Sequence, residues 1–114
     1  MPIRLVRSNG ENETASEVAD LIAIHRKKIA MVERLGKRLM VAEDVDATLI
    51  GQRLDALMAE ESALRRRIAV APVGNVPEVK MKAAYFQALM DHGWCEVEAD
   101  DLHELLRSFT KLQA

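Results

Sequence analysis

Residues 18–39, VADLIAIHRKKIAMVERLGKRL, decide the fold. Within them Val18, Ile22, His25, Ile29, Val32, Gly36 and Leu39 recur at alternating spacings of four and three, the seam of a coiled coil. Downstream, Ala47, Ile50, Leu54, Leu57, Glu61, Leu64 and Ile68 make a second such seam. Between the two, Val41-Ala42-Glu43-Asp44-Val45-Asp46 is short and acidic, which favours the start of a new helix. So short a turn between two long helices makes them antiparallel neighbours. Folded at Glu43, the seams meet layer by layer. Leu39 faces Ala47, Gly36 faces Ile50, Val32 faces Leu54 and Ile29 faces Leu57. His25 then falls beside Glu61, Ile22 beside Leu64 and Val18 beside Ile68. Glycine opposite isoleucine is expected to let the helices close up at that level.

Outward from the hairpin, residues 1–13 read as a flexible N-terminal arm and 14–114 as one helical domain. Thr14-Ala15-Ser16-Glu17 has the form of a capping box, so the first helix is expected over about 15–40. The second is expected over 46–69, ended by Pro72 and Gly74. A third, over 76–92, takes Asn75 as N-cap and Gly93 as its left-handed stop, with Val79, Ala83, Phe86 and Met90 as apolar stripe. The fourth, over 98–112, has Val97 and Leu102 placed as a hydrophobic staple and a stripe of Leu102, Leu105, Leu106, Phe109 and Leu112. The expected fold is all-α: a long antiparallel, coiled-coil-like hairpin followed by two shorter helices, bundle-like.

Composition agrees and narrows the function classes. The 114 residues are 49% hydrophobic and 30% charged, enough apolar mass for one core. Five glycines, three prolines and four aromatics are too few for a β-sandwich. A net charge of −2 removes bulk attraction to nucleic acid or anionic membrane. No stretch approaches the ~20 apolar residues of a membrane span, and no signal-peptide core opens the chain. The single Cys95 fits a reducing compartment, so a cytoplasmic location is expected.

The first helix carries a second apolar seam, Leu21, Ile24, Lys28, Met31 and Leu35, so more than one neighbour must cover it. Two helices of about 15 residues are shorter than the hairpin arms. Lying side by side over one end, they would leave an apolar strip uncovered, the mark of a partner surface. Self-association, as a homodimer or with another helical protein, is therefore expected through Leu21, Ile24, Met31 and Leu35. The competing architecture is a compact monomeric four-helix bundle.

His25 and Glu61 are the polar members of the seam, read as a register pair. A histidine beside a carboxylate also has the makings of a pH switch. On the seam alone, His25→Leu should strand Glu61, whereas changing both to leucine should be neutral or stabilising. His92, Cys95 and His103 lack the spacing of a zinc site and are assigned no metal. Arg26, Lys27, Arg34, Lys37 and Arg38, with Arg65, Arg66 and Arg67, offer a nucleic-acid alternative. Arg65 to Arg67 stand in the last turn of their helix, where the dipole favours them, and approach Glu17 and Asp20. Solvated faces and salt bridges account for these charges more simply. Salt separates the two functions: an apolar contact is nearly insensitive to it, whereas phosphate binding weakens steeply. No phosphate loop, nucleophile constellation or paired carboxylates appear, so neither catalysis, cofactor nor small-molecule substrate is expected.

At Asp20-Leu21-Ile22-Ala23-Ile24-His25-Arg26 the chain resembles a broad group of short uncharacterised bacterial helical proteins. The likeness continues through the alanine-rich acidic second helix, the Ala71-Pro72 break and the final Leu105-Leu106-Arg107-Ser108. It departs in the long seam and in the Arg65 to Arg67 run. The resemblance implies the architecture and carries no activity.

Overall fold

The computed structural model describes the backbone of residues 9–112 and the side chains of 17–112. Among these residues there are four helices and no strand: α1 (Asn9–Val41), α2 (Asp44–Val70), α3 (Val76–His92) and α4 (Ala99–Thr110). No helix is long and apolar enough to cross a membrane among the described residues. The helix starts at Asn9 and passes through Thr14, so the capping box expected there does not begin it. Residues 9–13, assigned to an arm by the sequence, are helical, and the rest of that arm lies outside the described residues.

Only Ala42 and Glu43 separate α1 from α2, and the reversal puts Asp44 at φ 47°, a left-handed conformation that aspartate tolerates better than most residues. Two contacts fix the hairpin register. Lys28 Nζ lies 2.7 Å from Glu60 Oε1, and His25 Nε2 lies 2.8 Å from Glu61 Oε2. His25 and Glu61 therefore share the layer that the seams assign them. The glycine layer differs from expectation: a Cβ placed on Gly36 would meet nothing within 4 Å. The helices do not close up on Gly36, and the buried residue at this level is its neighbour Leu35.

The shorter helices sit over one end of the hairpin. The core there joins Val18, Leu21 and Ile22 of α1, Ile68 and Ala69 of α2, Tyr85, Phe86 and Leu89 of α3, and Leu105 of α4. Asn75 caps α3, its Oδ1 accepting from the Glu78 N–H at 2.9 Å, and Gly93 closes the helix at φ 63°. Asp101 Oδ2 caps the start of α4 by accepting from the Glu98 N–H at 2.9 Å. Val97 and Leu102 are both packed against the core, as a staple would be. The hairpin runs on past this end as a two-helix arm. The molecule measures 55 × 41 × 19 Å with a radius of gyration of 17.1 Å. A compact chain of this size would have about 13 Å.

Two apolar stripes are corrected. In α3 the buried line is Glu78, Lys82, Tyr85, Phe86 and Leu89, while Ala83 and Met90 are exposed. In α4, Leu106 is 61% exposed, and Ser108, two residues on and on the opposite side of the helix, is buried. The reason is Lys82. Its ammonium is wholly buried and donates to Ala69 O at 3.0 Å, Ala71 O at 2.6 Å and Ser108 Oγ at 2.9 Å. Ala69 and Ala71 stand at the C-terminal end of α2, so the cation satisfies carbonyls the helix leaves open.

Burial pushes the Lys82 pKa down to about 8, with the charge of Glu78 opposing. Between pH 8 and 10.5 the unfolded chain holds a proton that the folded chain has lost, so this group makes stability rise with pH across that window. The slope is at most ~1.4 kcal/mol per pH unit. Burial raises the pKa values of Tyr85 and Cys95, the latter to about 11, and these groups lower stability over overlapping alkaline pH. Denaturant unfolding of the chain and of Lys82→Met at each pH isolates the lysine. Their stability difference should climb from pH 8 upward. A flat difference means the buried ammonium carries no desolvation cost.

Candidate functional site

Two features stand out: a buried polar chain where all four helices meet, and an uncovered apolar face along the arm. The polar chain starts at His25, which is fully buried on α1. Its Nδ1 is 2.6 Å from Tyr85 Oη of α3, and its Nε2 is 2.8 Å from Glu61 Oε2 of α2. A neutral ring satisfies both contacts, accepting from the tyrosine hydroxyl and donating to the carboxylate. Arg65, one turn beyond Glu61, donates to Glu61 through Nη1 and to Asp101 Oδ2 through Nε at 2.8 Å. Arg66 Nε donates to Asp101 Oδ1 at 2.7 Å. Burial alone would raise the pKa values of Glu61 and Asp101. Bonds from His25 and Arg65 hold Glu61 below its ordinary value, and the Glu98 N–H with Arg66 and Arg65 does the same for Asp101.

Cys95, half-buried in the connection after α3, completes this centre. One donor atom each from His25, Glu61 and Cys95 lie within 4.8 Å of one another, a set of metal-ligand types. The histidines that sequence spacing placed with Cys95 go elsewhere. His92 is exposed and stacks on Trp94 at 4.4 Å between ring centres, and His103 bonds to Arg107.

The basic clusters separate. Arg65 is 3% exposed and tied to Glu61 and Asp101, so it is not open to phosphate, whereas Arg66, paired with Asp101 and Glu98, keeps a partly exposed side chain. Their acids are Glu61, Glu98 and Asp101; among the described residues no ion pair joins them to Glu17 or Asp20, as the sequence had implied. Arg26, Lys27, Arg34, Lys37, Arg38 and Arg67 are exposed.

The four residues expected at a self-association surface divide as well. Leu21 belongs to the core and Leu35 is buried within the hairpin, so neither offers a free side chain. Ile24 is 48% exposed and Met31 is half-buried. Met31 and Leu35 still line a shallow groove between α1 and α2, with Leu57 at its base and Arg34, Arg38 and Arg53 at its edges. Toward the tip, Arg38 also borders a second groove, formed with Val41, Ala42, Asp46, Leu49 and Ile50. Neither α3 nor α4 contributes a residue to these grooves. Val41, Val45 and Leu49 are 80%, 70% and 59% exposed, and Met40 beside them 84%.

Sequence reasoning missed Tyr85, Lys82, Glu78 and Asp101 as parts of the polar interior. For α3 the signal was present: Glu78, Lys82, Tyr85 and Leu89 follow the same four–three spacing as the hairpin seams. It was obscured because two of the four are charged. No protein-family model matches the chain, and neither the curated proteins nor the solved structures compared with it give a match.

Proposed function

We infer that the chain is a non-enzymatic helical interaction module that self-associates through the outer face of its hairpin arm. The observation that carries this reading is the pair of grooves that share Arg38, lined in part by Met31, Leu35 and Leu57 and by Val41, Leu49 and Ile50, to which α3 and α4 contribute no residue. Charge selects a second copy as the occupant. Along α1 the arm carries Arg34, Lys37 and Arg38 against one acid, Glu33, and the tip and α2 carry Glu43, Asp44, Asp46 and Asp55 against one base, Arg53. Beyond Lys28–Glu60, no ion pair joins α1 to α2 along the arm among the described residues. Two arms laid antiparallel about a two-fold axis place the acidic tip of each along the basic α1 of the other. The apolar grooves then bury each other and supply the affinity.

Light scattering after gel filtration should give a mass near twice 12.8 kDa, retained in high salt. Leu49→Glu sets a charge on an exposed groove residue without touching the core. It should weaken the dimer by about 2 kcal/mol, roughly thirtyfold, with helical circular dichroism unchanged. A mass of 12.8 kDa for the unmodified chain at every concentration refutes self-association. A dimer that dissociates as salt rises overturns the claim that the apolar grooves supply the affinity and assigns it to the charge pairing.

A further inference from the structure

We propose that His25, Glu61 and Cys95 form a binding site for a borderline transition-metal dication such as Zn²⁺. The three donors come from three separate parts of the chain: α1, α2 and the α3–α4 connection. The imidazole and carboxylate are buried and the thiol half-buried, and one donor atom from each lies within 4.8 Å of the others. In a tetrahedral zinc site, bonds of about 2.0–2.3 Å set neighbouring donors roughly 3.3–3.7 Å apart. His25 Nε2 and Glu61 Oε2, now 2.8 Å apart, need only part slightly as the thiol moves in. A nitrogen, an oxygen and a sulfur donor together suit Zn²⁺ or Co²⁺ rather than Mg²⁺ or Ca²⁺. Three protein ligands leave the fourth position to a water molecule entering past Cys95.

The surroundings have the form of a supporting shell. Tyr85 Oη at 2.6 Å from Nδ1 orients the ring, and in the metal-bound state it accepts the Nδ1 proton while Nε2 turns its lone pair to the ion. Arg65 bonds the same Glu61 oxygen as His25, so metal binding requires Glu61 to turn from Arg65 to the ion while Arg65 keeps Asp101 at 2.8 Å and Ser62. Proton balance is simple. The imidazole stays neutral and moves its proton from Nε2 to Nδ1, Glu61 is already ionised, and Cys95 gives up its thiol proton to solvent. One proton leaves for each ion bound.

The test is titration of the chelator-stripped full chain with Co²⁺, followed by displacement with Zn²⁺. The expected result is one Co²⁺ per chain with a sulfur-to-cobalt charge-transfer band in the near ultraviolet. Affinity should rise about tenfold per pH unit around neutrality, the signature of one released proton. Cys95→Ser should keep its helical circular dichroism and lose the band, whereas His92→Ala and His103→Ala should keep it. Zn²⁺ should raise the melting temperature of the unmodified chain and not that of Cys95→Ser. Absence of the band, its persistence in Cys95→Ser, or its loss in His92→Ala or His103→Ala overturns the site. Self-association can fail without affecting any of these readings.

Discussion

Replacing Asp101 by alanine will cost about 3–5 kcal/mol of folding stability, the range for removing one member of a buried ion pair. Asp101 is 1% exposed and serves three donors at once: Arg65 at 2.8 Å, Arg66 at 2.7 Å and the Glu98 N–H at 2.9 Å. Without it, the buried Arg65 guanidinium keeps only Glu61 and Ser62, and α4 loses the bond that starts it. Small domains are stable by only about 5–15 kcal/mol, so a large share of the margin goes with one side chain. Asp101→Asn keeps the shape and one acceptor oxygen and should cost less. Urea unfolding followed by circular dichroism reads both. A loss below about 1 kcal/mol for Asp101→Ala would mean the pair behaves like an exposed one. The same carboxylate shapes the acid limb. Because its pKa is lowered in the folded state, its contribution is complete above the unfolded value and is lost as pH falls through the folded one. The alanine variant should lack that part of the acid dependence.

The second large effect concerns His25, and here the seam alone misleads. Paired only with Glu61, His25→Leu would be costly and His25→Leu/Glu61→Leu harmless. In the folded chain each residue has a further contact, Tyr85 for the histidine and Arg65 for the glutamate. His25→Leu leaves the buried Tyr85 hydroxyl without its contact while Glu61 keeps Arg65, a loss of about 2–4 kcal/mol. Adding Glu61→Leu does not bring that back, since the tyrosine is still unpaired and Arg65 has lost an acceptor. Tyr85→Phe in the His25→Leu background should recover part of the loss by removing the orphaned hydroxyl. A double-mutant cycle on His25 and Tyr85 should therefore show coupling of about 1 kcal/mol or more. Additive costs for those two changes would show that the 2.6 Å contact contributes nothing to folding.

The hairpin was legible because its signal is local and repeated. Every three or four residues the sequence states again which side of α1 faces α2, and the register follows from the turn length alone. That is why His25 and Glu61 could be set in one layer before any coordinates. Capping was legible for the same reason: Asn75, Gly93 and the Val97–Leu102 staple act within one turn of the backbone they satisfy. The start of α1 differs from the sequence reading: the helix already runs at Asn9, ahead of the box at Thr14.

By itself, then, the sequence determined an all-α chain, an antiparallel hairpin and its register, and two short capped helices after it. Only the tertiary structure decided where those helices dock, and with that almost everything about the site. Docking over one end leaves the arm bare, buries Leu21, and leaves Met31 and Leu35 along an uncovered groove. It also brings Tyr85, Cys95 and Asp101 onto His25, Glu61 and Arg65 across 34 to 70 residues of chain. A charged residue such as Lys82 or Asp101 reads as surface until its counterpart is known. Its burial is set by a carbonyl or guanidinium on another element, and no periodicity records that pairing.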